Sequence, residues 1–124
     1  MSEADLRLLE RARNAAAAAY APYSDFRVGA AVRARDGRIY AATNVENASY
    51  PLGLCAERAA VACAVAEGCR PGDLEAVAVT ASPCGGCRQW LLEFRVERVI
   101  YPSGSGEPVV RTAAELLPDG FQLS

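Results

Sequence analysis

Apolar and polar positions follow two different rhythms along this chain, and the rhythm changes at turn residues. Leu6, Leu9, Ala12, Ala16 and Tyr20 recur at the spacing of a helix face, and Ser2 with Asp5 forms a capping-box pattern, so a first helix is predicted from about Glu3 to Tyr20. Its alanine-rich second half can lie close against a sheet. Ala21-Pro22-Tyr23-Ser24 breaks the periodicity. Strict alternation from Arg27 to Arg35 puts Val28, Ala30, Val32 and Ala34 on one side of a strand. Asp36-Gly37 then turns a tight hairpin into an antiparallel second strand, Arg38 to Thr43.

Asn44 to Leu54 carries Asn, Ser, Pro and Gly without periodicity and reads as an ordered loop. Cys55 to Glu67 is mostly alanine and valine, a helix apolar on nearly all sides and expected to be buried, with Gly68 ending it. Leu74 to Thr80 suits a central strand, Pro83-Cys84 opens a helix to about Phe94, and Arg98 to Tyr101 makes a fourth strand. Val109 and Val110 make a brief fifth, and Thr112 with Glu115 caps a last short helix before Pro118. The expected fold is α/β: a three-layer α/β/α arrangement with a mixed five-stranded sheet, one domain over residues 1–124.

Composition narrows the function. A net charge of −2, a pI near 5.2 and the lack of a basic run argue against nucleic-acid partners. The longest apolar stretch, Ala15 to Ala21, is too short to span a membrane. The acidic start of the chain is unlike a signal peptide and the cysteine count, 5, is odd, so a cytoplasmic protein with reduced thiols is expected. A hydrophobic fraction of 52% favours burial between subunits.

Those thiols carry the candidate chemistry. Cys84 and Cys87 at the start of a helix place both sulfurs on one face of its first turn, where a single metal ion can touch both, and Cys55 supplies a third thiolate from another helix. Cys63 is roughly 12 Å farther along the helix of Cys55, whereas sulfurs sharing zinc sit about 4 Å apart, so it cannot complete the set. Cys69 lies beyond the helix-ending Gly68, and the chain has no histidine. Cys63 and Cys69 read as small buried or half-buried apolar residues. Three cysteines without a fourth partner suggest one zinc per chain with an open position.

Taken alone, Cys84-Gly85-Gly86-Cys87 fits a redox dithiol equally well. Glu57, beside Cys55, favours zinc. A carboxylate outside the ligand set can take a proton from water and return it to substrate, although a glutamate here is also an ordinary first-turn acid. The helix N-termini favour thiolate, and Arg58, Arg88 or, more weakly, Gln89 could donate to the sulfurs, with Arg58 placed ahead of Arg88.

Cys55-Ala56-Glu57 and Pro83-Cys84-Gly85-Gly86-Cys87 stand alongside Tyr20-Ala21-Pro22-Tyr23-Ser24-Asp25-Phe26, Val28-Gly29-Ala30-Ala31, Asn44-Val45-Glu46-Asn47-Ala48, Tyr50-Pro51-Leu52-Gly53 and Glu115-Leu116-Leu117-Pro118. Together they resemble the small homotetrameric cytidine deaminases of pyrimidine salvage, over nearly the whole chain. The resemblance implies hydrolysis of cytidine or deoxycytidine to uridine or deoxyuridine with loss of ammonia, zinc on Cys55, Cys84 and Cys87, and Glu57 as proton shuttle. It implies that Asn44 and Glu46 hold the ribose 3′-hydroxyl, that Phe26 contacts the base and that backbone groups of Ala56 read its polar edge. Ala48 and Tyr50 would serve a neighbouring subunit's sugar pocket, and Phe121 would cover the base from another subunit.

Thr80-Ala81-Ser82 is shorter than the corresponding loop of relatives and the tail after Phe121 is brief, which bears on the pocket rim and subunit packing. Trp90 is expected as a repacked core position. The rival readings are a related deaminase for another aminopyrimidine nucleoside, such as a blasticidin-like antibiotic, and, from a different class, a non-catalytic zinc module or a CxxC dithiol oxidoreductase. A nucleic-acid-editing deaminase fits poorly with the missing basic track.

Overall fold

Ser2 and Thr112 each accept a hydrogen bond from the backbone three residues on, and Asp5 and Glu115 return one, so both predicted capping boxes form. The structure, a computed structural model, describes residues 1–123. The helices are α1 (Glu3–Ala16), α2 (Ala56–Ala66), α3 (Gly85–Glu93) and α4 (Ala113–Leu116). The strands are β1 (Gly29–Ala34), β2 (Ile39–Thr43), β3 (Leu74–Val79), β4 (Arg98–Pro102) and β5 (Pro108–Arg111). They form one sheet in the order β2-β1-β3-β4-β5, antiparallel except for the parallel pair β3–β4 that α3 connects. The expected mixed five-stranded sheet is therefore present.

Alternation sorts its residues into two layers. Ala30, Val32, Ala34, Val77, Val79 and Val99 face a core shared with Ala60, Val61 and Ala64 of α2, Leu91 of α3 and Leu116 of α4. On the other face Ala31, Ala76, Ala78 and Ile100 meet Leu8, Leu9 and Ala12 of α1. Three of those four sheet residues are alanine, which lets α1 lie close to the sheet. At Gly29 the helix comes so close that a Cβ would lie 1.9 Å from the Ala12 carbonyl oxygen, so only glycine fits.

α1 ends at Ala16 instead of Tyr20. Tyr20 is drawn off the helix by a bridge to Val45, its N–H donating to the Asn44 carbonyl and its carbonyl accepting from Glu46 N–H, while the Arg27 guanidinium caps the Ala17 and Ala19 carbonyls. The helix is also rotated from the predicted face: Leu6 is exposed and Asp5, with Leu8, Leu9 and Ala12, is buried. α2 is buried on one side only, leaving Ala62, Cys63 and Ala66 exposed on this chain, so Cys63 is not the buried residue expected. Cys69 is half-buried and packs against the core. Trp90 is exposed, not a core residue: α3 turns Leu91 inward.

Asp5 does more than cap. Its carboxylate, fully buried, pairs with Arg98 and, at 3.2 Å, with Arg33, which also reaches Glu75 at 3.1 Å. Burial alone would push the Asp5 carboxyl up, but the hydrogen bonds from Arg98, Arg33 and the Ser2 backbone outweigh it and hold the pKa at about 2 against an ordinary 3.8. A depressed carboxylate stabilises the fold above its unfolded pKa and loses that contribution as the pH falls. Denaturant titration should show on the order of 2 kcal/mol lost between about pH 4 and pH 2, and Asp5→Asn should remove most of that pH dependence while lowering stability at pH 7; an unchanged acid profile in the variant would assign the acid sensitivity elsewhere.

Candidate metal centre

The sheet has a functional end, where β2 and β3 finish and β1 begins. β3 runs out at Val79 beside Ala30, and Thr80 closes the junction, its N–H donating to the Gly29 carbonyl and its hydroxyl accepting from Gly29 N–H at 3.1 Å. From there the chain enters α3 through Cys84 at the N-cap, with Cys87 in the first turn; Cys55 is the N-cap of α2. Ligands of open α/β sheets gather at this end, outside the carboxyl ends of strands.

Two N-caps and one first-turn position thus put three sulfurs together. Those of Cys55, Cys84 and Cys87 all lie within 4.8 Å of one another, with Cys55 and Cys84 3.9 Å apart. Among the described residues no fourth Cys, Asp or Glu joins the cluster. The donor set fits zinc: three soft thiolates with the spacing of shared ligands, and no side chain closing the fourth position.

The surroundings are built for the charge of those sulfurs. The Arg58 guanidinium lies 3.8 Å from the Cys84 sulfur, and Gly86 makes room for it, since a Cβ there would stand 2.6 Å from its Nη2. Arg58 Nε is buried without a hydrogen-bond partner among the described residues, so the guanidinium is held by the sulfurs and by packing. Its pKa is raised, chiefly by the Cys87 sulfur. Burial lifts the Cys55 thiol, and burial with the neighbouring Glu57 carboxylate lifts that of Cys87 far above its ordinary value. Cys84 is the exception. Burial opposes ionisation there too, yet the Cys87 N–H and thiol and the Arg58 guanidinium bring it down to about 7. Glu57, 4% exposed, has its carboxyl pKa raised by burial.

Other predicted residues are placed less directly. Asn44 spends its side chain on the loop, Oδ1 accepting from Val28 N–H and Nδ2 donating to the Phe26 carbonyl at 2.8 Å. Glu46 accepts from the Tyr23 and Ser24 backbone and the Ser24 hydroxyl, which lowers its pKa. Both residues therefore fix the 20–28 segment that carries Phe26. Ala56, the first residue of α2, is fully buried beside Glu57. Phe26, Ala48, Tyr50 and Phe121 are exposed on this chain, and none of the cysteines lines the open cleft of about 650 Å³ that Phe26 shares with Thr80, Ala81 and Ser82.

Gln89 does not reach a sulfur: its amide donates to the Phe121 carbonyl. Arg88 likewise turns away, donating to the Pro83 and Leu116 carbonyls. Sequence reasoning missed Thr80 and Gly86; the small residues of Cys84-Gly85-Gly86-Cys87 were the signal for the latter.

An α/β protein that gathers three thiolates at two helix ends and leaves a buried carboxylate outside the set is built as a zinc-dependent hydrolase. The family model for the cytidine and deoxycytidylate deaminase zinc-binding region matches residues 2–103. Cytidine deaminases from Sporosarcina psychrophila and Mycobacterium tuberculosis are 42% and 44% identical, spanning 93% and 99% of this chain and 89% and 94% of their own. The crystal structure of cytidine deaminase from Burkholderia pseudomallei superposes with a TM-score of 0.86 at 42% identity, covering 98% of this chain and all of that one. The chain belongs to the cytidine and deoxycytidylate deaminase zinc-binding family.

A site whose thiols are largely protonated when free must release protons as metal binds. Calorimetry near pH 7 in buffers of different ionisation enthalpy should report about one zinc per chain with release of about two to three protons, fewer as the pH rises; binding without proton release would mean that the thiols are not the ligands.

Proposed function

We propose that this chain catalyses the hydrolytic deamination of cytidine and deoxycytidine to uridine and deoxyuridine, with Cys55, Cys84 and Cys87 holding zinc and Glu57 moving the protons. The observation that carries this reading is the buried Glu57 carboxyl beside, but outside, a cluster of three sulfurs within 4.8 Å. Zinc held there would supply the Lewis acidity that makes water a nucleophile near neutral pH.

Everything else falls to the protein. As a water oxygen bonds to C4 of the base, Glu57 takes one of the water's protons and delivers it to N3; a second transfer, to the exocyclic amine, releases ammonia and leaves the C4 carbonyl of uridine. A carboxyl with its pKa raised by burial is suited to both directions of transfer. Arg58 draws charge from the sulfurs, offsetting the excess negative charge of three thiolates. Asn44 and Glu46 are held in place by the loop bonds already described, and the second amide hydrogen of Asn44 and the free lone pairs of Glu46 are left for a sugar hydroxyl. Phe26 would lie against the base and Ala56 would present backbone groups to its edge. The absence of a phosphate-reading basic track favours a nucleoside over a nucleic acid.

The same reading makes the working unit a homo-oligomer, a tetramer with shared sites. The bridges Tyr20–Val45 and Val45–Leu54 gather segments on which Tyr20, Tyr23, Phe26, Tyr50 and Leu52 are exposed, more large apolar surface than an isolated chain ordinarily presents. Ala48 and Tyr50 would complete a neighbour's sugar pocket and Phe121 would cover a neighbour's base. A cytoplasmic setting is supported by the free cysteines, and no described helix is long and apolar enough to cross a membrane. A dithiol oxidoreductase would have no use for Cys55 beside both other sulfurs.

Glu57→Gln should keep its zinc and lose turnover of cytidine by at least about two orders of magnitude; ammonia release at the wild-type rate would remove Glu57 from the mechanism. Phe121→Ala should raise KM for cytidine by about threefold to tenfold with little change in metal content, and unchanged kinetics would count against a shared site.

A further inference from the structure

Two neighbouring side chains on α3 make bonds that neither the ligand set nor the proton transfer uses. Arg88, half-buried, donates from Nε to the Pro83 carbonyl at 2.8 Å, from Nη2 to the Ser82 hydroxyl at 3.3 Å and from Nη1 to the Leu116 carbonyl at 3.1 Å. The first two bonds grip the turn that delivers Cys84; the third grips the end of α4. Gln89 donates from Nε2 to the Phe121 carbonyl at 2.8 Å. Between those anchors the C-terminal segment is pressed onto α3 at Gly120, where a Cβ would stand 2.4 Å from a Leu92 methyl. Asp119, just before it, turns the chain at a positive φ of 57°, a left-handed conformation that aspartate adopts more readily than most residues.

The helix that starts with two of the three sulfurs therefore also carries the fastenings of the tail. A fixed rod with ligands at one end and a paired anchor on its flank transmits position. We propose that Arg88 and Gln89 are positioning residues that fasten the C-terminal segment to α3 and so hold Phe121 in place for a neighbouring subunit's base, Arg88 by tying the Ser82–Pro83 turn to α4 and Gln89 by holding the Phe121 backbone. This rests on the deaminase reading in so far as Phe121 covers a base, but the fastening itself does not depend on it.

The zinc-loaded full-length protein tests this through a double-mutant cycle. Gln89→Met, close in shape but without a donor, should raise KM for cytidine by about threefold to tenfold with kcat changed less than about twofold. In the Phe121→Ala background the same substitution should add nothing, because its route of action is gone. Additive effects, or an unchanged KM, would overturn the proposal. Hydrogen exchange supplies a readout independent of activity: amides of residues 117–123 should exchange faster in Gln89→Met, and unchanged exchange would show that the bond holds nothing. Were the wild-type protein to release no ammonia from cytidine, the deaminase reading would fail while the exchange result still decided the fastening. For Arg88, zinc loss to a chelator should be fastest in Arg88→Met and intermediate in Arg88→Lys, whose ammonium can keep one carbonyl. Should Arg88→Met not fold, wild-type retention of zinc in Arg88→Lys would sink that half of the proposal.

Discussion

Helices repel one another's positive ends, and here α2 and α3 begin within reach of each other because cysteine sulfurs occupy the space between them. Thiolate at an N-terminus satisfies the helix; three thiolates crowded within 4.8 Å do not satisfy one another, and the Arg58 guanidinium and a metal ion relieve the repulsion. The remainder of the architecture can be understood as what holds those two helix ends there. β3 and β1 meet at Thr80 and Gly29 to aim the α3 turn, and the Val45–Leu54 bridge guides the chain into Cys55. Glu57 inherits its burial from the same packing, in the first turn of a helix whose inner face fills the core.

Much of this was legible in the chain. Strict alternation in β1 separates Ala30, Val32 and Ala34 from Ala31, and the two capping boxes are local patterns whose partners are three residues apart, so sequence alone carries them. The sulfur cluster was legible for a different reason: few chemistries need a Cys, a Glu two residues on and a Cys pair at the start of another helix. What stayed hidden depends on tertiary contacts. Asp5 finds Arg33 and Arg98 only after the sheet brings residues from β1 and β4 under α1, which also rotates the helix so that Leu6 faces outward. Tyr20 leaves α1 because Val45, distant in sequence, competes for its backbone. Gln89 and Trp90 could not be placed from spacing, since the C-terminal segment determines which side of α3 is covered.

The exposed side of α2 and the apolar loops around the metal centre share one explanation. Composition suggested more apolar residues than one chain of this size hides, and the excess lies on Ala62, Cys63 and Ala66 and on the aromatic loop residues, not in the core. Under the proposed function, a buried Glu57 and substrate-facing residues left at the surface would divide the labour: acid–base chemistry internal to one protomer, closure around the substrate a task for neighbours.

The contact at Gly29 has a consequence for how the protein can change over evolutionary time. Where α1 meets β1, main chain touches main chain, so no rotamer can absorb a substitution and the gap is set by covalent dimensions. The opposite layer, filled by Leu, Val and Ala side chains, can exchange volume among neighbours. Inheritable variation should therefore be least tolerated at Gly29, where a backbone contact leaves no slack, and easiest among the side chains that fill the layer between the sheet and α2.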